Sequence, residues 1–170
     1  MDYFIMKTDN RLCRLPQIQF LQEIFETENS KTFIVYVKEN NGLTIEYADY
    51  LEKPGPLIAE KFHHILQKCQ HDVVFRRIML VEKDTGQQTP YYLMFPPEIM
   101  CADRNETKCD AGGNVRDFVL NTEKVGKRAI FCAKDFNRQL VVRLDVAESI
   151  LRREANGIWF EPVKVSGGSR

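Results

Sequence analysis

Residues 54–81, PGPLIAEKFHHILQKCQHDVVFRRIMLV, join the clearest helix pattern of the chain to one of its clearest strand patterns. The run Pro54–Gly55–Pro56 favours a helix start, because proline suits the first helical position. Apolar residues then recur at the spacing of one helix face, namely Ile58, Phe62, Ile65, Leu66 and Cys69. Residues 73–81 are rich in β-branched and apolar side chains, as is typical of a strand. The sequence therefore predicts a helix over 56–69 that leads into a strand.

This helix–strand segment has a counterpart near the end of the chain. The segment Ile65–Ile78 (ILQKCQHDVVFRRI) aligns without gaps with Ile150–Val163 (ILRREANGIWFEPV). Chance and the common features of helix–turn–strand units explain such a match about as well as an internal repeat does. The alternative is a duplicated α–β unit, with two similar halves around one core.

The remaining patterns extend this α+β character to the whole chain. A second helix is predicted over 145–155, with Asp145 and Glu148 at the spacing of a capping box and Gly157 just beyond its end. A last strand is predicted over 158–165. We expect a mixed or antiparallel sheet covered by two amphipathic helices, and a single domain over 1–165. Residues 166–170 (SGGSR) resemble a flexible tail.

Charge and hydrophobicity disfavour several classes of partner. The chain holds 24 basic and 24 acidic residues in 170, and neither sign is concentrated in one segment. Nucleic-acid binders usually carry a basic stripe, so we expect no nucleic-acid partner. No apolar run approaches the length of a membrane helix, so we expect no membrane partner. The N-terminus lacks the features of a signal peptide, and the five scattered cysteines are typical of reduced thiols. These features predict a cytoplasmic protein.

A search for catalytic and cofactor motifs gives no match. The chain has no glycine-rich nucleotide loop, no metalloprotease helix motif, no serine-hydrolase elbow and no paired CxxC. His63 and His64 are adjacent on the predicted helix, whereas a metal site on a helix needs ligands on one face. We therefore expect no enzyme activity, no cofactor and no metal. Two alternatives remain open: an enzyme that uses Cys101 or Cys132 with a histidine, and a structural or small-ligand-binding domain.

The polar stretch 101–114 is the first candidate for a contact surface. Its carboxylates are interleaved with basic residues, which is equally typical of a solvated loop with local ion pairs. Long ordered loops in compact domains often carry function, however. The candidate contacts in this stretch are Asp103, Arg104, Asn105, Glu106 and Asp110.

Trp159 is the second candidate, and it is the only tryptophan in the chain. It lies between Ile158 and Phe160 in a predicted strand, so it points to the opposite face from both neighbours. A buried core position is the simpler interpretation. An exposed Trp159 would instead mark an interface anchor.

The order of the segments resembles a family of bacterial immunity proteins from polymorphic toxin systems, formerly catalogued as a domain of unknown function. The resemblance covers about residues 1–165. The features that carry it are an aromatic first strand (Tyr3–Met6), the helix LIAEKFHHIL (57–66), the strand VVFRRIML (73–80), the pair Tyr91–Tyr92, the element Cys101–Asp103, and Gly157, Phe160, Pro162 and Val163 near the end.

What this resemblance implies is an inhibitor of another protein. Such a protein is encoded beside a toxin and protects the producing cell by binding it. The family carries no catalytic residues to transfer to this chain. The predicted partner is thus a cognate protein toxin, bound through a complementary surface.

Overall fold

A computed structural model describes residues 1–20, 22–26, 31–38 and 42–167. Two five-stranded sheets dominate these residues, and two helices of eight and ten residues pack with them, so the predicted α+β class is confirmed. The strands are β1 Tyr3–Thr8, β2 Phe33–Val37, β3 Tyr50–Leu51, β4 Leu57–Ala59, β5 Val74–Glu82, β6 Gln88–Phe95, β7 Glu98–Ile99, β8 Lys108–Cys109, β9 Val115–Asp117, β10 Val119–Asn121, β11 Ile130–Ala133, β12 Gln139–Arg143, β13 Ile158–Pro162 and β14 Lys164–Ser166. The helices are α1 Glu23–Glu26, α2 Glu60–Cys69, α3 Thr122–Val125 and α4 Leu144–Leu151.

The first sheet has the strand order β13-β1-β12-β11-β7, and the second has β2-β5-β6-β4-β3. Most neighbours are antiparallel, but β7 pairs with β11 and β2 pairs with β5 in parallel. Both sheets are therefore mixed, as the sequence predicts. Two small two-stranded sheets, β10-β14 and β8-β9, also occur among the described residues.

The two sheets contain the same strand–helix–strand arrangement. In the second sheet, β4 leads directly into α2, and β5 returns parallel to β4 with the antiparallel β6 between them. In the first sheet, β12 leads directly into α4, and β13 returns parallel to β12 with the antiparallel β1 between them. The aligned segments 65–78 and 150–163 thus occupy equivalent places. The middle strand differs in origin, because β6 follows β5 whereas β1 comes from the N-terminus.

Three clusters of buried side chains hold these layers together. The central cluster takes residues from both sheets and from both long helices, including Phe62, Leu66, Val146 and Ile150, each 0% exposed. A second cluster lies on the second sheet and includes Ile24 of α1. The third cluster packs Tyr3, Ile5, Phe131 and Val141 of the first sheet against Cys101, Phe118, Leu120 and Val125. The segment 101–125 therefore covers part of one face of the first sheet.

The helix bounds differ from those predicted. Helix α2 begins at Glu60 rather than at Pro56, because Leu57–Ala59 pair with β6 as strand β4. Helix α4 spans Leu144–Leu151 rather than 145–155, and no side chain caps its N-terminus. Asp145 instead forms an ion pair with Arg143, whose Nε lies 2.7 Å from Oδ1, so the predicted capping box is absent.

The C-terminal segment is also more ordered than predicted. The predicted strand 158–165 is divided, since β13 pairs with β1 and β14 pairs in parallel with β10. Ser166 ends β14 and is 8% exposed, so the expected flexible tail does not begin there. Residues 168–170 of that tail lie outside the described residues. Among the described residues, no helix has the length and apolar character needed to cross a membrane.

Candidate functional site

Trp159 is exposed, and the pleat of β13 explains why. Ile158 and Phe160 point to the central cluster, where the Phe160 ring meets Phe4 edge to face at 6.5 Å. Trp159 points to the other face and stays 56% exposed, in register with Lys7 of β1. The simpler expectation of a buried tryptophan is therefore wrong. The exposed indole thus meets the condition set above for a candidate interface anchor.

The indole borders a groove of about 750 Å³, which we call the Trp159 groove. The groove lies on the face of the first sheet that carries Lys7, Gln139 and Trp159, beyond the part that the segment 101–125 covers. It is lined by Lys7, Thr8, Asp9, Asn10, Arg11, Glu52, Lys53, Gln139, Trp159 and Glu161. Ligand sites usually have few polar groups, whereas this lining is mostly charged and polar.

Thr8 and Glu52, which both line the groove, are joined by hydrogen bonds. The Thr8 N–H donates to Oε2 of Glu52 at 3.0 Å, and the Glu52 N–H donates to Oγ1 of Thr8 at 3.0 Å. The Thr8 hydroxyl donates in turn to the carbonyl oxygen of Tyr50 at 3.1 Å. These bonds join the end of β1 to the end of β3, and thus the first sheet to the second. The Glu52 carboxylate is held in one place as a result.

Most other charges of the groove neutralise each other. Lys7 pairs with Glu161 across β1 and β13. Arg11 donates two hydrogen bonds to Asp9, from Nε to Oδ1 at 2.9 Å and from Nη2 to Oδ2 at 2.5 Å. The hydrogen bonds from Arg11 lower the pKa of Asp9 to about 2, so this carboxylate is ionised at neutral pH. Within the described chain, Glu52 and Lys53 are the charged lining residues without an ion-pair partner.

The groove continues toward the junction of the two sheets. A smaller cavity of about 160 Å³ shares Glu52, Lys53 and Gln139 with it and adds Arg138. A cavity of about 650 Å³ follows, between Phe95 of the second sheet and Arg138. Glu52 lines the groove and both of these cavities.

Arg138 reaches this junction from an unusual backbone position. Asn137 and Arg138 both have positive φ, 50° and 54°, and the Gln139 N–H donates to the Phe136 carbonyl oxygen at 3.0 Å. Within the loop between β11 and β12, residues 136–139 thus form a β-turn of a type in which glycine is the favoured second central residue. An arginine there costs backbone free energy of about 1 kcal/mol. Its side chain pairs with Glu98 and stays largely exposed at the mouth of the cavity.

The candidate residues of the 101–114 stretch divide into two groups. Asp103 accepts hydrogen bonds from the N–H groups of Asn105 and Glu106 and from the Ser166 hydroxyl, at 2.9, 3.2 and 2.5 Å. The bond from Ser166 is the largest of the effects that lower the pKa of Asp103. Asp103 therefore ties the loop to the end of β14. The side chains of Arg104, Asn105 and Glu106 are exposed, and they remain predicted contacts.

Asp110 has a similar local role in the turn between β8 and β9. Its Oδ1 accepts from the N–H groups of Gly112 and Asn114, both at 2.9 Å, and Arg116 lies 3.3 Å from Oδ2. The hydrogen bonds from Asn114 contribute most to the lowered pKa of Asp110. Asp103 and Asp110 thus both use their carboxylates to shape the loop.

The thiols and histidines do not form a nucleophile–base pair within the described residues. The Cys101 thiol is buried and faces Asp135 at 3.7 Å, and burial raises its pKa to about 12. Burial likewise raises the pKa of Cys132 to about 11. Both thiols are protonated at neutral pH, and the thiol is a poor nucleophile. His63 stacks on Tyr92 with ring centres 3.8 Å apart, and burial lowers its pKa.

The sequence singled out Trp159 as a candidate contact but not the residues that line the groove with it. Thr8, Glu52 and Gln139 come from the ends of three different segments and belong to no motif. A scan against protein-family models and a search of curated proteins both found no match for the chain.

Proposed function

We propose that this chain binds another folded protein at the Trp159 groove. The proposed partner is a bacterial toxin, which the chain neutralises by covering the toxin's active site. The observation that carries the proposal is Trp159 itself, 56% exposed on the edge strand of the first sheet. Tryptophan is enriched among the residues that dominate the energetics of protein interfaces. A tryptophan kept at the surface is best explained by a partner that buries it.

The chemistry of the lining favours a protein over a small molecule. Ion pairs such as Lys7–Glu161 and Asp9–Arg11 line the groove together with the exposed indole of Trp159. A large anchor side chain among polar and charged groups is common in protein interfaces. Such charges contribute mainly to specificity and association rate, while the anchor contributes most of the affinity.

The proposed mechanism is steric. Anchoring by Trp159 would place the body of this chain over the partner, and the exposed residues Arg104, Asn105 and Glu106 would add peripheral contacts if they lie within the same interface. No residue of the inhibitor has to carry out chemistry in this mechanism. Inhibition should accordingly follow the occupancy of the complex, with one inhibitor bound for each toxin blocked.

The test is co-expression with the toxin domain that the proposal expects to be encoded beside this gene, followed by co-purification and growth rescue. Trp159→Ala should weaken binding by roughly thirtyfold or more, because truncation of an anchor tryptophan costs about 2 kcal/mol or more. The rescue of growth should weaken in proportion to this loss of binding.

The matched control is Tyr36→Ala, which removes an aromatic ring of similar exposure, 59%, from the edge strand of the other sheet. This variant should bind and rescue as the unmodified chain does. Undiminished binding by Trp159→Ala would refute the groove as the interface, and so would a loss confined to Tyr36→Ala.

A further inference from the structure

Among the acidic residues that line the groove, Glu52 is the one without a cationic partner in the described chain, which leaves its carboxylate available to a ligand. Its Oε2 is occupied by the Thr8 N–H at 3.0 Å, whereas no hydrogen bond or ion pair of the described residues uses Oε1. The other acids of the groove, Asp9 and Glu161, each have a cationic partner. A fixed, partly enclosed carboxylate with a free oxygen is well suited to bind a cation.

The indole of Trp159 borders the same cavity. Thr8, which holds Glu52, follows Lys7, and Lys7 is the partner of Trp159 in the β1–β13 register. The Glu52 carboxylate and the indole thus both reach this one cavity. A carboxylate and an aromatic face that line one cavity attract a guanidinium or ammonium group by ionic and cation–π contacts.

From this arrangement we infer that the Trp159 groove receives an arginine or lysine side chain of the partner, which contacts Glu52 and packs against Trp159. The inference rests on the proposed function for the identity of the partner, but the cation site can be measured without it. Lys53 also lines the groove and would repel the incoming charge. Glu52 and Lys53 should therefore have opposite effects on binding.

Trp159 gives a direct signal, because it is the only tryptophan in the chain. The probe is a capped tetra-arginine peptide, titrated into the full-length protein at low salt while the indole fluorescence is recorded. The fluorescence should change saturably, and added salt should weaken the binding because the contact is partly exposed. A capped tetra-glutamate peptide should give no saturable change.

Glu52→Gln should weaken tetra-arginine binding by about fivefold, the upper size expected for a partly exposed ion pair. Glutamine still offers an oxygen to the Thr8 N–H, so the fold should be kept, which circular dichroism and the melting temperature would check. Lys53→Gln should strengthen binding by about twofold. Asp84→Asn removes an exposed carboxylate from the turn between β5 and β6 of the second sheet and should leave the titration unchanged.

Three outcomes would overturn the cation site: no saturable signal, equal binding by the folded Glu52→Gln variant, or tighter binding of tetra-glutamate. These outcomes are separable from failure of the proposed function. Loss of toxin binding in Trp159→Ala without any tetra-arginine signal would leave the interface standing and remove the cation site. A normal tetra-arginine titration together with undiminished toxin binding by Trp159→Ala would keep the cation site and remove the groove as the toxin interface.

Discussion

Gly157, which precedes β13, should be among the positions least tolerant of any side chain. Its φ is +70°, and a Cβ built on it would lie 2.6 Å from the Ala48 Cβ and 2.7 Å from Cδ1 of Leu12. Its carbonyl oxygen also accepts the Asp9 N–H at 3.0 Å. Three chain segments meet there, directly beside the Trp159 groove. Gly157→Ala should therefore destabilise the fold and disturb the setting of Trp159.

Two effects add in this variant. An alanine in the left-handed region costs about 1–2 kcal/mol. Overpacking of a filled site adds about 1–3 kcal/mol. The neighbours have little freedom to move, because Ala48 is 1% exposed and its backbone Cα lies 3.1 Å from the added carbon. We expect a total loss of about 2–5 kcal/mol in the free energy of unfolding.

Gly86 separates the two effects, since its φ is +73° but nothing lies within 4 Å of the added carbon. Gly86→Ala should lose only the backbone part, about 1–2 kcal/mol. With a urea slope of about 2 kcal/mol per molar, the midpoint should fall by about 1–2.5 M for Gly157→Ala and by about 0.5–1 M for Gly86→Ala. Equal midpoints for the two variants would refute the argument from close packing.

Two further predictions concern titration and thiol chemistry. Folding lowers the pKa of His63 below 6.5 and that of Asp9 from 3.8 to about 2, so the unfolded chain binds protons first at both groups. Urea midpoints should therefore fall as the pH drops below about 6.5, and again between about 4 and 2; a midpoint that rises on acidification through either window would contradict the assignments. Iodoacetamide at neutral pH should modify the exposed Cys13 and Cys109 first, while Cys101 and Cys132, with pKa values near 12 and 11, should react only on unfolding. Peptide mass spectrometry would follow the order, and early labelling of Cys101 would contradict it.

The sequence predicted the main helices but not where they begin. Phe62 and Leu66 lie at the centre of the predicted apolar stripe, and both are fully buried. Ile58 fits that stripe as well, yet it belongs to β4 and is buried there by strand pairing. A short apolar run next to a helix can continue the helix or form a strand, and periodicity alone does not distinguish the two.

The site was less predictable because its parts are distant in the sequence. Alternation in β13 required Trp159 and Phe160 to face opposite ways, but it did not decide which face was buried. The burial of Phe160 depends on Phe4, more than 150 residues away along the chain, so no local pattern could reveal it. The prediction for the 101–114 loop treated Asp103 as a surface charge available to a partner. The structure shows that Asp103 accepts a hydrogen bond from Ser166 of β14, which the local sequence could not reveal.

A difference between the two sheets leaves β13, the strand that carries Trp159, at an edge. Each half has four equivalent strands, β5-β6-β4-β3 in the second sheet and β13-β1-β12-β11 in the first. The fifth strand is added at opposite ends, since β2 pairs with β5 whereas β7 pairs with β11. Within the described residues β13 is therefore an edge, and unpaired edges are usually kept short or charged to prevent unwanted pairing. Glu161 and Pro162 are residues of this kind at one end of β13, whereas the other end carries the exposed Trp159.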